Sequence, residues 1–328
     1  MKSLRLISLF AVGSAFLCAS ASQAATAVIK VLPAKPLIVA TLAAGVDDEI
    51  SAAVSTTNSL IIAGTVTGTS GDWVTTPALG GSDGFITSLS FSGVHNWDLR
   101  LGGAPDEIAS ALVRDKSGNY WVVGSAAKAI TPPVSPSPSS SSSPPAILNP
   151  DGVVVDPPPA ASPNLDQLMV WKVSHTGTLL ATYSMSAPGT IFPQSLTLKG
   201  SLFTASGEVA SGGLTKKFTI LFDSDGNFSQ LILVKLDPQT TPTVVTLTAG
   251  PNHWRLSTSA GSIAGIPSWK PKRAFPVAIL YSKAGKILEA RYFTATPRIS
   301  LWQTGIGLVC LSEQGSGFGM TIVNPLAG

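Results

Sequence analysis

Short apolar runs and turn residues alternate along nearly the whole chain. Residues 85–89 are followed by Gly93, residues 168–173 by Gly177, residues 218–222 by Gly226, and residues 277–281 by Gly285. In each case an apolar strand, three residues, a glycine and a second apolar strand follow in order. A glycine at that offset supplies the positive backbone angle that a short hairpin loop requires, so the spacing predicts hairpins rather than helices. A fifth candidate, residues 28–32, has Pro36 where the glycine would stand.

Between these hairpins lies a second recurring pair. Gly45-Val46-Asp47-Asp48-Glu49-Ile50 superposes on Gly103-Ala104-Pro105-Asp106-Glu107-Ile108. Each stretch runs through a polar turn into a short apolar strand ending in glycine, residues 60–64 and 120–124. Trp121 then falls opposite Trp254, where both are expected to pack between sheets. The chain divides into five four-strand units at about 27–64, 83–125, 166–207, 216–260 and 275–312, followed by a lone strand at 318–323. A strand left over in this way can close a ring by pairing beside the chain's beginning, which removes an open sheet edge.

Composition agrees with this reading. Only 12% of residues are charged and 44% are hydrophobic, with 31 glycines and 25 prolines, a sheet-and-turn balance. Residues 1–24 show a basic start, an apolar core and a small-residue end at Ala24, the order of a cleaved secretory signal, which places the mature chain outside the cell or in its envelope. Lys2 and Arg5 carry two of the three net positive charges, so nothing implies a nucleic-acid partner. No second apolar span is present. With Cys18 in the signal, Cys310 has no partner for an internal disulfide, and stability must come from packing. Residues 131–164 are rich in serine and proline and are expected to form a mobile, disordered insertion.

The stretch Gly81-Ser82-Asp83-Gly84-Phe85-Ile86-Thr87-Ser88-Leu89, with Ser92-Gly93, Trp97, Leu101-Gly102-Gly103, Asp106-Glu107 and residues 117–124, resembles the bacterial secreted β-propeller repeat of the SBBP type. The resemblance is good over the second unit and faint over the last three, which lack the acidic dipeptide and the double glycine. It implies an all-β propeller of four-stranded antiparallel blades, most simply five, and supplies no catalytic residues.

In such a ring, the connections between units and those between a unit's second and third strands share one face. That face is expected to carry Asp47, Asp48, Glu49, Asp106 and Glu107, with Trp73 and Trp269, as a ligand-binding surface. Carboxylates on neighbouring units could bind a cation, with Asp48 and Asp106 the candidate ligands, or serve as acid and nucleophile of a glycoside hydrolase or lyase. Only two units carry these acids, however, and turn or capping roles explain them equally. Asp223-Ser224-Asp225-Gly226-Asn227 opens like a calcium loop but lacks the later glutamate, so it reads as a turn. Gly80-Gly81-Ser82-Asp83-Gly84 matches a hydrolase nucleophile pattern without the strand-to-helix setting that pattern needs. His95, His175 and His253 lack metal-ligand spacing. The sequence therefore predicts a non-enzymatic exported binding or surface-presentation module with no cofactor, for a cell-envelope glycan or protein. The alternatives are a propeller glycosidase and a structural surface protein with a Pro/Ser spacer.

Overall fold

A computed structural model describes residues 29–128, 164–235 and 244–324. The expected signal, and all of the expected insertion except its last residue, lie outside the described residues. The described chain is all-β, without a helix. Its strands are β1 (Val31–Ala34), β2 (Ile38–Ala40), β3 (Glu49–Ser55), β4 (Ser59–Val66), β5 (Asp83–Ser90), β6 (His95–Leu101) and β7 (Glu107–Arg114). They continue as β8 (Tyr120–Ala126), β9 (Gln167–Val173), β10 (Leu179–Ser186), β11 (Thr190–Lys199), β12 (Leu202–Ser211), β13 (Leu214–Phe222) and β14 (Ile232–Lys235). The last seven are β15 (Val244–Ala249), β16 (Asn252–Ala260), β17 (Phe275–Tyr281), β18 (Ile287–Phe293), β19 (Pro297–Gln303), β20 (Gly307–Gln314) and β21 (Gly317–Val323).

These strands form five sheets, ordered β3-β4-β5-β6, β7-β8-β9-β10, β11-β12-β13-β14, β15-β16-β17-β18 and β19-β20-β21-β2. The chain is a five-bladed propeller whose blades are antiparallel meanders, with β3, β7, β11, β15 and β19 as the first strands. Each blade takes the last two strands of one sequence unit and the first two of the next, so the repeat has the expected period but a phase shifted by half a unit. The expected hairpin near residues 28–32 does not form. β1 instead adds in parallel to the outer strand β18, pairing Val31 with Ala290 and Ala34 with Phe293. β2 joins a different sheet, antiparallel to β21, pairing Ile38 with Met320 and Ala40 with Phe318. Pro36, between them, lacks both the donor and the positive φ that the other hairpins use. Those four hairpins all have their glycine at positive φ: +84° at Gly93, +87° at Gly177, +80° at Gly226 and +77° at Gly285.

Strands inside the ring read as continuous apolar runs because both faces of a blade are covered. In β4, Leu60 and Ile62 pack toward the fifth blade with Leu311 and Met320, while Ile61 and Ala63 pack toward the second with Val122 and Trp171. Successive side chains point to opposite faces, so both halves of the run are needed. Trp121, fully buried, fills the space between the second and third blades with Phe203 and Phe222, its indole N–H donated to Asp115 at 3.0 Å. Trp254 fills the space between the fourth and fifth blades with Leu280 and Leu308. The third blade differs. Along β12, Phe203, Ala205 and Val209 are buried against the second blade, whereas Thr204, Ser206 and Glu208 between them are half-buried. The fourth blade's corresponding face is covered over its outer strands by Ile263 and Ile266 of its own β16–β17 connection.

Four of the five first strands carry a β-bulge. Their register with the second strand shifts at Ile50/Ala52, Ala109/Ala111, Pro193/Ser195 and Pro297/Ile299. The extra residues are Ser51, Ser110, Gln194 and Arg298. Opposite the first three bulges stand Gly64, Gly124 and Gly207, where an added Cβ would lie 1.9, 1.8 and 2.1 Å from the carbonyl oxygens of Glu49, Ile108 and Phe192. The bulged backbone bends into the space a side chain would need. Gly124→Ala should therefore cost about 1–3 kcal/mol or more in chemical denaturation. Gly261→Ala, at a glycine with nothing within 4 Å, should be close to neutral. Equal midpoints for the two variants would contradict the bulge assignment.

Candidate functional site

Antiparallel alternation puts the second-to-third-strand loops and the blade-to-blade loops at one end of the ring. The acidic stretches lie there, just before β3 and β7, and their local chemistry explains why those residue types occur. The Asp48 carboxylate accepts backbone N–H groups from Ala43 at 2.9 Å, Gly45 at 3.0 Å and Thr67 at 2.9 Å. It thereby fixes the residues on either side of Ala44, which has φ +59°, a costly conformation for a non-glycine residue. At the matching position, Asp106 accepts the backbone N–H of Ser82 at 2.9 Å and its hydroxyl at 3.2 Å. Each carboxylate ties a blade entry to the preceding loop, which is capping chemistry.

Behind Asp106 lies a buried ionic core. Asp83 is fully buried and accepts Arg100 Nη1 at 2.7 Å and the Leu79 N–H at 3.0 Å. Arg100 spends its other donors on the carbonyls of Thr76, Gly68 and Thr69. Glu107 is only 5% exposed, and its Oε2 has no hydrogen-bond partner. An added Cβ at Gly102 would meet that oxygen at 2.2 Å, so the φ +146° glycine is what lets the loop close over the carboxyl. Burial, with smaller contributions from Asp83 and Asp106, pushes the Glu107 carboxyl up to about 7, against a hydrogen bond from the Gly103 backbone.

At the ring's centre the bulges place polar side chains. Arg298 pairs with Glu49 of the first blade and with Glu313 of its own blade, the latter at 2.6 Å. These two carboxylates outweigh partial burial and hold its charge firmly. The pair with Glu49 therefore joins the fifth blade to the first. On one side of Arg298 is a cavity of about 350 Å³ lined by Ser51, Val245, Leu256, Thr258 and Ser300. A second, of about 590 Å³, is bounded by Thr41, Asp48, Glu313, Ser316 and Phe318.

The residues expected on one binding face thus divide. Asp47 and Glu49 are exposed, Asp48 and Asp106 are half-buried braces, and Glu107 is inside. Trp73 is not on the face: it is 1% exposed and packs with Leu42, Val66 and Phe85, because the carbonyls of Thr41 and Leu42 fold the loop inward by accepting the backbone N–H groups of residues 72–74. Trp269 is half-buried against Phe275 and Tyr292 on the outer part of the fourth blade. Among the described residues, no cluster of three His, Cys, Asp or Glu side chains could hold a metal ion, and the contacts of Asp48 and Asp106 are the loop ties described above. Ser82 faces Asp106 and leads into β5, with no helix after it. Asp223 accepts the N–H groups of Asp225 and Asn227 within its own turn. Burial raises the Cys310 thiol to about 12, which keeps it out of nucleophilic chemistry. Arg298 had no motif to announce it; an arginine one residue into a first strand, matching Ser51 and Ser110, was the available signal.

No known protein family matches the chain, and no curated protein matches it. Its similarities are to solved structures. The catalytic domain of a Coprinopsis cinerea GH62 alpha-L-arabinofuranosidase is 9% identical, with 92% of this chain and 99% of that one covered at a TM-score of 0.36. A family 117 glycoside hydrolase of Zobellia galactanivorans is 9% identical over 90% and 93% of the two chains, TM-score 0.35. A Pseudomonas brassicacearum lignostilbene dioxygenase is 8% identical over 80% of this chain and 53% of its own, TM-score 0.30, so this chain spans about half of that enzyme. At this level of similarity the matches carry no inference about chemistry.

The Glu107 shift has a consequence for stability. Unfolded, this carboxyl ionises near 4.5, whereas in the folded protein it does so near 7. Stability is therefore unaffected below the unfolded value, falls as pH rises between the two, and stays reduced above 7. Glu107→Gln should match the wild type at pH 4 and be more stable at pH 8 by up to about 3 kcal/mol. Denaturant titrations at the two pH values check this, and a variant less stable at pH 8 would contradict it.

Proposed function

We propose that this is an exported, non-enzymatic propeller that acts as a binding or surface-presentation module, its channel mouth meeting a cell-envelope glycan or protein. The observation that carries this reading is how the loop carboxylates are used. Asp48 is saturated by three amides, Asp106 holds Ser82, Asp83 holds Arg100, and Glu49 holds Arg298. Glycoside cleavage needs an acid and a carboxylate free to face one bond. Glu107 has the pKa of an acid catalyst but is buried beneath Gly102, out of a substrate's reach. The cavity lined by Arg298 and the one bounded by its partner Glu313 together offer hydroxyls, carboxylates and a guanidinium beside apolar walls, which suits a polar, hydroxyl-bearing partner. Export is supported by the basic, apolar and small-residue order of residues 1–24, and the likeness to SBBP-type repeats agrees with it.

The test is a glycan array and an envelope-fraction pull-down with the mature chain, alongside Arg298→Ala and the cavity-filling Ser51→Phe. Saturable binding, weakened roughly tenfold or more by either substitution in a folded variant and unaccompanied by hydrolysis, is expected. Glycan hydrolysis abolished by Glu107→Gln, or wild-type binding by both variants, would overturn the proposal.

A further inference from the structure

We propose that the fourth blade carries a second site, for a small organic anion in which a carboxylate is borne on an apolar body, and that Arg255 is its anchor. This goes beyond the channel-mouth reading and does not depend on it. A cavity of about 370 Å³ opens on this blade, within the size range of small-molecule sites. Its floor is Val244 of β15, Val277 and Ile279 of β17, and Ile263 of the β16–β17 connection. Its polar rim is Arg255 with the serines at 257, 259 and 262.

The strand register builds this arrangement. His253, Arg255 and Ser257 alternate onto one face of β16, directly opposite Tyr281, Ile279 and Val277 of β17. The Arg255 guanidinium lies 5.9 Å from the Tyr281 ring centroid, and the His253 ring stacks on Tyr281 at 5.4 Å. The arginine is thus oriented by an aromatic ring, and among the described residues no carboxylate lies within ion-pair distance of it. In a sheet face of a propeller, a neighbouring blade would ordinarily cover this position. Here the β16–β17 connection covers only the outer strands, leaving β15 and β16 with exposed residues at Val244, Thr246 and Arg255. A guanidinium fork offers two parallel donors, the geometry that a carboxylate accepts, and the serine hydroxyls can satisfy its remaining lone pairs. The aliphatic floor takes the apolar body.

Benzoate is the probe, with benzamide as its neutral counterpart of the same shape, in calorimetric titrations against the mature chain. The site predicts saturable benzoate binding, benzamide binding weaker by roughly tenfold or more, and loss of that preference in Arg255→Gln with partial retention in Arg255→Lys. Arg255 is exposed, so near-ultraviolet circular dichroism should show both variants folded; Val244→Trp, which would fill the cavity from the neighbouring strand, gives an independent block. Arg298→Ala should leave benzoate binding intact, which separates a failure here from a failure at the channel mouth. No saturable benzoate binding, equal binding of benzamide, or an unchanged Arg255→Gln titration would each overturn the assignment.

Discussion

The ring depends on ten residues of chain, 31–40, being shared between two blades. β1 extends the fourth blade beyond β18, and β2 supplies the fifth blade with its outer strand on β21. The second strands of the first, second and fifth blades are buried on both faces, so those blades need two neighbours to keep their residues from water. Without β2, Phe318 and Met320 would lose a strand partner, and the cluster they form with Leu60, Ile62 and Leu311 would open toward solvent. Each such side chain contributes about 1.5–3 kcal/mol when buried, so opening several is comparable with the whole stability of a domain. The Arg298–Glu49 ion pair crosses the same junction, but it is half-exposed and adds little by comparison.

At the seam between the third and fourth blades, Val244, Thr246 and Arg255 stay exposed among the described residues. The third blade alternates buried and half-buried residues along β12, a pattern suited to one covered face rather than two. The fourth blade responds by folding its β16–β17 connection back over Val277 and Ile279. What remains uncovered, the β15–β16 half of the sheet, is where Arg255 stands. Packing and the proposed anion site are therefore two consequences of one arrangement: a blade face that, among the described residues, no neighbouring blade covers.

Much of this was legible in the sequence. The hairpin glycines at 93, 177, 226 and 285 gave strand positions, because only a positive φ explains their spacing, and the duplicated acidic loops gave the period. The phase was not legible, since a cyclic repeat reads the same wherever it is cut; only the pairing of β2 with β21 fixes it. The glycines ending residues 60–64 and 120–124 were visible, but their reason, a bulge carbonyl pressed against each Cα, is a contact across strands. Trp73 misled because a tryptophan in a connecting loop reads as exposed until the loop is seen folded onto the core. For Asp48 and Asp106 the sequence left two readings open, ligand and turn; the amide donors they hold come from residues as distant as Thr67 and Ser82 and could not be read from it. Arg298 and Arg255 belong to no motif, and only register brings each to its cavity.

The central claim is that residues 31–40 lock the ring, and native-state hydrogen exchange tests it most directly. The chain from residue 25 would be compared with one beginning at residue 41. Loss of amide protection in β18 and β21, spreading through β19 and β20 while β8 and β9 remain protected longest, is the predicted result. Unchanged protection in β18 and β21 after the truncation would contradict it.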